Sequence, residues 1–349
     1  MKRLLLLGSG NIAGRHVAEF NALDDCRIVA CADSVPGRAE GFAATHGLEH
    51  AFGSLDEAVR WGGFDGAVNA TPDAAHKPTT LALLSAGKHV FCEKPLAPNF
   101  PDALEMTEAA EAAGLVNMVN LTYRNASALQ VARRLVAEGA IGELRHVEAS
   151  YRQSWLVSKA WGDWRTNDTW LWRLSKRHGS MGVLGDIGIH ILDFATYGAG
   201  EDLTELRADL MTYSKAEGAR IGDYELDAND TFVITGRLAG GALAVITASR
   251  YATGFENDLT LYLHGTRGAL KVEATHLTSR LSGSLGEDVD AHRFRFIRTK
   301  KTRRNARAFA DALNAGANEE PSFRRAAELQ RVLDTAVESA EKKAALALA

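Results

Sequence analysis

Three short stretches carry side chains whose types and spacing can do chemistry. The first is Gly8-Ser9-Gly10-Asn11-Ile12-Ala13-Gly14, directly after an apolar run. In Gly8-x-Gly10-x-x-Ala13 the first glycine permits a tight turn and the second lets a pyrophosphate approach the backbone. The third position must be small so that a helix can pack on a strand. That helix, with Asn11 and Ile12 at its opening, would offer free N–H groups and a positive dipole end to phosphates. A second apolar run ends at Asp33, whose carboxylate suits ribose hydroxyls and repels a 2′-phosphate. NAD is therefore the expected cofactor and NADP is disfavoured, although Arg38 is a nearby cation able to admit a 2′-phosphate.

The second stretch is Glu93-Lys94-Pro95, at the carboxyl end of the apolar run His89–Cys92, where open α/β sheets bind ligands. A cationic nicotinamide ring and desolvation both disfavour the charge of a neighbouring lysine, so Lys94 can share a proton with a substrate hydroxyl. By itself Glu93-Lys94 also reads as a surface ion pair. The third stretch is Gly185-Asp186-Ile187-Gly188-Ile189-His190. On a helix Asp186 and His190, four apart, share a face. An imidazole with a carboxylate neighbour suits general base work near neutral pH. The alternative is a capping aspartate and a packed histidine.

The elements that must position these residues alternate. Residues 3–7, 26–33, 66–70, 89–92 and 115–120 read as strands. Helices are expected after the glycine loop, after Pro36, from the Ser54-x-x-Glu57 capping box, from His76 to the stop at Gly87, and over Asp102–Ala113. Short connections between alternating strands and helices indicate a doubly wound parallel sheet. Beyond residue 122 the pattern changes. A helix near Ala126–Glu138 leads to a strand at Leu144–Gln153, and later alternating runs flank Gly240-Gly241 and Gly265–Gly268 as hairpins, which predicts an α+β domain of antiparallel strands. The expected organisation is residues 1–122, residues 123–300, and a helical segment 301–349 that packs back on the domains.

The chain has 349 residues, too many for one core, with 46% hydrophobic and 24% charged residues and a formal net charge of -4. That balance argues against a nucleic-acid or membrane-surface protein. Three cysteines without CxxC spacing, and eleven histidines without a cluster, argue against a disulfide framework or a metal site. No apolar run approaches a membrane span, and the apolar run after Met1-Lys2-Arg3 is too short for a signal sequence. A cytoplasmic enzyme is expected.

The order and content of several segments resemble the Gfo/Idh/MocA family, the glucose-fructose oxidoreductase and inositol dehydrogenase relatives. The matching pieces are the glycine loop, Asp33, Ala70-Thr71-Pro72 with His76, Ala86-Gly87-Lys88-His89-Val90-Phe91-Cys92-Glu93-Lys94-Pro95, Gly139–Gly142, Trp172-Arg173 and Gly185–His190. The resemblance covers nearly the whole chain. It implies a Rossmann domain followed by a large, mostly antiparallel open sheet, through which members commonly form dimers or tetramers. It implies oxidation of a ring hydroxyl of a sugar or cyclitol, or the reverse reduction. By that analogy Lys94 and His190 handle the proton, and Asp186 orients His190 or the substrate. Thr71, Pro72, His76 and Glu93 line the cofactor, Arg124 lies near the substrate, and the Lys94–Pro95 bond is cis. The run Gly179-Ser180-Met181-Gly182 departs from the family's frequent triple glycine.

Five of the six tryptophans fall between Trp155 and Trp172, with Arg152, Arg165 and Arg173 among or beside them. Aromatic faces suit pyranose C–H faces and arginines suit hydroxyls or acids, with Trp172 and Arg173 the best placed for a substrate. A satellite core or an oligomer contact is the competing reading. Two other functions stay open at this point: an NAD-dependent glycosidase that oxidises C3 transiently, and a non-catalytic sugar sensor.

Overall fold

Four consecutive leucines, Leu4 to Leu7, are all buried in the first strand, β1 (Lys2–Leu7). A strand apolar on both sides belongs inside a parallel sheet covered by helices on both faces. The structure, a computed structural model, describes residues 1–275 and 277–348, with only the backbone at 168 and 169. It divides into two units, residues 1–121 with 303–330, and residues 122–302 with 331–349.

In chain order the first unit contains β1, α1 (Ala13–Asn21), β2 (Cys26–Ala32), α2 (Arg38–His46), β3 (His50–Phe52), α3 (Leu55–Trp61), β4 (Gly66–Asn69), α4 (Asp73–Ser85), β5 (His89–Cys92), α5 (Phe100–Ala112) and β6 (Asn117–Val119). The strands form one parallel sheet in the order β3-β2-β1-β4-β5-β6. The order reverses between β1 and β4, and ligands bind at the carboxyl ends of strands at such a switch point. The Ser54 hydroxyl accepts from Glu57 N at 3.2 Å, while the Glu57 carboxylate reaches back to Gly53 N at 3.0 Å, one residue earlier than in a standard capping box. The three-residue β3 was not expected from the sequence; it exists through its pairing with β2. Helix α4 begins at Asp73, directly after Pro72, and so includes His76 within its first turns.

The second unit contains α6 (Ser127–Ala137), β7 (Leu144–Gln153), the single turn α7 (Asp168–Leu171), α8 (Ile189–Ala199) and β8 (Leu203–Met211). The short pair β9 (Arg220–Ile221) and β10 (Tyr224–Glu225) follows. Then come β11 (Thr231–Leu238), β12 (Leu243–Ser249), β13 (Asn257–Gly265), β14 (Gly268–Ala274), β15 (Ser279–Leu285) and β16 (Arg295–Ile297). The C-terminal α9 (Asn305–Ala315) and the start of α10 (Phe323–Lys342) belong to the first unit, and the rest of α10 with β17 (Leu346–Ala347) to the second.

The second unit's sheet has nine strands in the order β16-β15-β14-β13-β7-β12-β11-β8-β17. It is mixed: β7 and β12 pair in parallel, Ala149 opposite Ile246, and the other neighbours are antiparallel. Alternation revealed these strands but carries no information about their direction. Along β11 the side chains alternate, with Phe232 and Ile234 buried and Val233 39% exposed, so one face is covered and the other is open. In the first unit, Phe20 of α1 meets Phe91 of β5 edge-on at 5.4 Å and Phe309 of α9 at 6.3 Å, which ties α9 to the sheet. Among the described residues no helix is long and apolar enough to cross a membrane.

Candidate active site

In the first unit the glycine loop leaves the end of β1 at the switch point. Gly8 has φ +87°, and a Cβ there would lie 2.7 Å from the Ala70 carbonyl, so only glycine fits. Gly10 is different: a Cβ on it would meet nothing within 4 Å. Two residues further on, the N-terminus of α1 has no side-chain cap at Ile12. A pyrophosphate fits both features, since it needs close backbone approach and supplies the missing negative cap.

Asp33 is buried just after β2. Its Oδ2 accepts from Ser9 N at 2.9 Å and Ser9 Oγ at 2.8 Å, and its Oδ1 from Val35 N at 2.9 Å. Burial opposes its charge, but these donors and the Arg38 guanidinium outweigh burial and hold the carboxyl below the usual range. Asp33 thus also holds the glycine loop in shape. Oδ1 has lone-pair room for a ribose hydroxyl. Arg38 sits 3.6 Å from Oδ1 on a half-exposed side chain.

At the ends of β4 and β5 a set of buried polar groups fixes the backbone. Asn69 is fully buried: its amide nitrogen donates to Thr79 and Thr80, and its oxygen accepts from the Thr71 hydroxyl at 2.7 Å. Thr71 and Pro72 are thereby held in a defined turn. Glu93 Oε1 lies 2.8 Å from His16 Nε2 and accepts from Asn120 at 2.7 Å, while Oε2 accepts from Lys94 N at 3.3 Å. Burial pushes the Glu93 carboxyl up. Hydrogen bonds from His16 and Asn120 and the charges of His16 and Lys94 more than offset this and hold it at about 2. Glu93 is therefore an anchored internal anion rather than half of a surface pair. Lys94–Pro95 is cis. His76, expected at the cofactor, is fully buried, with its ring nitrogens on the Pro95 and Thr71 carbonyls.

In the second unit Asp186 and His190 do not share one α-helix. Residues Leu184–Gly188 form a π-helical turn that runs into α8, so Asp186 sits on the wider turn and His190 on the regular helix. The four-residue spacing was read with α-helical geometry, and a π turn changes the angle between the two side chains. Asp186 Oδ2 accepts from Arg250 Nη2 at 3.0 Å and lies 3.8 Å from Arg173 Nε. Arg250 is completely buried, with its guanidinium 4.9 Å from the Trp155 ring centroid and its Nη1 donating to the Arg173 carbonyl at 3.1 Å. Burial lowers its proton affinity, opposed mainly by Asp186. Arg173 lies over the Trp172 ring at 4.6 Å, and Trp172 is 37% exposed. The structure thus joins Asp186, Arg173 and Trp172 through Arg250, which the sequence reading did not single out.

His190 is buried and meets Tyr123 edge-on at 5.1 Å. Behind it three groups close a ring of hydrogen bonds. Asn257 Nδ2 donates to Tyr123 Oη at 2.8 Å, Tyr123 Oη pairs with Tyr151 Oη at 2.6 Å, and Tyr151 Oη donates to Asn257 Oδ1 at 2.6 Å. Burial, then Tyr123 and the charge of Asp186, push the Tyr151 phenol well above its ordinary range, so it stays protonated. Arg124 is placed in an internal pair: its Nε and Nη2 bond both oxygens of Asp193 at 2.9 and 2.7 Å, and it stacks over Tyr197 at 4.5 Å. Trp155 and Trp164 are buried with Leu156, Leu171, Leu174 and Leu226, and Trp161 and Trp170 pack against them, so most of the tryptophan stretch builds a satellite core.

Family models match both units: an oxidoreductase family with an NAD-binding Rossmann fold over residues 2–121, and a Gfo/Idh/MocA C-terminal domain over residues 129–271. The chain belongs to the Gfo/Idh/MocA family of oxidoreductases. It is an NAD-dependent dehydrogenase of the kind that acts on CH–OH groups. It is 27% identical over 309 residues to a levoglucosan dehydrogenase of Pseudarthrobacter phenanthrenivorans, covering 78% of this chain and 77% of that one. It is 30% identical over 275 residues to a 1,5-anhydro-D-fructose reductase of Ensifer adhaerens, covering 75% and 73%. A solved levoglucosan dehydrogenase in complex with NADH and levoglucosan superposes with a TM-score of 0.85 at 26% identity, covering 99% of each chain.

Proposed function

We propose that this dehydrogenase oxidises a ring hydroxyl of a sugar, sugar derivative or cyclitol, or runs the reverse reduction, with Lys94 and His190 handling the proton and Asp186 holding the substrate. The observation that carries this reading is the clamp on Asp186. A guanidinium buried under Trp155 grips one carboxylate oxygen, and a second guanidinium lies beside it over the exposed Trp172. Such a carboxylate is held in a fixed direction, and it can accept hydrogen bonds from vicinal hydroxyls while the indole face suits C–H groups. The names of the relatives support a carbohydrate substrate.

The glycine loop, Asp33 and the Thr71–Pro72 turn would hold the cofactor, which when bound takes the hydride from the carbinol carbon. Glu93, fixed by His16 and Asn120, holds the backbone on which Lys94 is carried. Tyr123 fixes the plane of the His190 ring by its edge-on contact. Proton removal by a positioned lysine or imidazole is worth about 10²- to 10⁴-fold in rate. The exposed Val233 and Leu243 on the open face of the sheet support assembly into a homodimer or homotetramer, which light scattering would measure. The functional test is incubation with NAD and a panel of sugars, anhydro sugars and cyclitols, following NADH absorbance. No NADH from any of them, with no NAD binding, sinks the proposal. Cleavage of a glycoside without net NADH would assign the glycosidase reaction instead.

A further inference from the structure

His76 is fully buried in the first turns of α4, and its two ring nitrogens face two backbone carbonyls. Nδ1 lies 2.8 Å from the Pro95 oxygen and Nε2 lies 2.9 Å from the Thr71 oxygen. A carbonyl oxygen can only accept. A neutral imidazole has one N–H and one lone pair, so it can satisfy one of these contacts and must set lone pair against lone pair at the other. The ring is fully buried and the Pro95 contact is enclosed, so a clash there has no solvent to relieve it, while the Thr71 contact is part-buried. Both contacts are favourable only when both nitrogens carry protons.

We propose that His76 is a permanently charged, buried imidazolium that ties the turn after β4 to the turn after β5 and thereby positions Lys94. The two carbonyls belong to Thr71 and Pro95, in the strand-end turns that flank the nicotinamide end of a Rossmann sheet. Lys94 is the residue next to Pro95, so a shift of the Pro95 carbonyl moves the backbone that carries the lysine amine. His76 touches neither substrate nor reacting atoms in this reading; it is a positioning residue. The titratable groups facing the ring are Asp73 on the same helix and Cys92 on β5. Burial disfavours the charge, but the Cys92 sulfur, the Asp73 carboxylate and the Pro95 carbonyl override it and keep the ring protonated to about 10. The resemblance implies a place for His76 at the cofactor; in the structure both ring nitrogens face backbone carbonyls of the chain itself.

The importance of Lys94 rests on the dehydrogenase reading above, whereas the charge on His76 does not, and the two are tested separately. The charge is read by ¹⁵N NMR of histidine-labelled, cofactor-free protein at pH 8, where a free imidazole is neutral. The expected result is a His76 ring with both nitrogens protonated, in the wild type and in Cys92→Ser. A single protonated nitrogen in the wild type overturns the proposal. Loss of the second proton in Cys92→Ser overturns the assignment to the two carbonyls and gives that role to the sulfur. The positioning role is read from His76→Gln, whose amide has donors on one atom only. Its kcat per folded active site should fall about tenfold or more, because displacement of a reacting group by about 1 Å costs up to about 10²-fold. The NAD dissociation constant should change by less than about threefold, a split that simple loss of folded protein would not produce. Unchanged kcat overturns the link to Lys94. If the variant does not fold, the NMR measurement on the wild type still decides the charge.

Discussion

Replacing Glu93 with glutamine removes one charge and almost no volume. The carboxylate it removes is mostly buried, with 15% of the side chain exposed, and its two oxygens take hydrogen bonds from His16, Asn120 and the Lys94 amide. Those donors hold its proton affinity at about 2, against 4.5 for the ordinary group. A difference of roughly 2.5 units at about 1.4 kcal/mol each gives about 3 kcal/mol of folding free energy at neutral pH. Because the folded-state value lies below the unfolded one, this stabilisation is fully present above about pH 5. It drains away as the pH falls from there towards 2. Glutamine keeps one acceptor but points an N–H₂ group at positions that already hold donors, so at pH 7 the variant should be less stable by about 2–3 kcal/mol. The assay is hydrogen exchange at the β5 amides during urea titration, since two units need not unfold together. The gap between wild type and Glu93→Gln should close between about pH 5 and pH 2. A gap that stays constant with pH, or equal stability at pH 7, refutes the claim that Glu93 is an anchored internal anion.

Other expectations follow from the same geometry. Gly8→Ala should cost at least about 1–2 kcal/mol of stability, because its Cβ meets the Ala70 carbonyl at a positive φ. Gly10→Val, facing open space, should leave stability within about 0.5 kcal/mol but weaken NAD binding at least about tenfold; thermal unfolding and calorimetry separate the two. Arg250→Met should lower kcat/KM by about 10- to 100-fold through loosened Asp186. Its stability should change little, since burial disfavours the guanidinium charge and the partly exposed Asp186 can rehydrate. Steady-state kinetics and a melting curve check both halves. Lys94→Met and His190→Gln should each reduce kcat by about 10²- to 10⁴-fold while NAD still binds, read by kinetics and by cofactor fluorescence.

Much of this architecture was legible because local chemistry and global fold agree. The leucine run, the glycine loop and the acid at Asp33 lie within the first 33 residues, and each has a single economical reading. The helix start at Ser54 follows from its side-chain cap, whereas the helix expected from His76 begins three residues earlier, at Asp73. What could not be read depends on partners distant in sequence. Strands β3 and β17 have three and two residues and exist only because a longer strand offers them a ladder. The direction of β12 against β7 leaves no trace in an alternating pattern. The π turn at Asp186 is invisible to a reading that assumes 3.6 residues per turn.

The site was partly legible for the same reason. Lys94, Asp186 and His190 stand out as reactive types in compact motifs. Arg250 looks like an ordinary charged residue at the end of a strand, and only the fold shows it buried between Asp186 and Trp155. Asn69, Asn120, His16 and Asn257 are equally plain in sequence, and their roles come from bonds to residues up to 185 positions away. Arg124 was assigned by position in a motif, and its bidentate pair with Asp193 is a contact across 69 residues that spacing does not reveal. The tryptophans between Trp155 and Trp170 carry too little local pattern to separate a core from a sugar platform, and packing resolves them as core.

The central claim is hydride transfer from a sugar or cyclitol carbon to NAD. It is tested most directly with substrates deuterated at each ring carbon in turn, incubated with NAD and analysed by NMR of the reduced cofactor. The account predicts deuterium at nicotinamide C4 for one labelled position of at least one substrate, in amounts matching the ketone formed, and its loss in Lys94→Met. Reduced cofactor without deuterium from any ring carbon, or no reduced cofactor with any sugar or cyclitol, would contradict it.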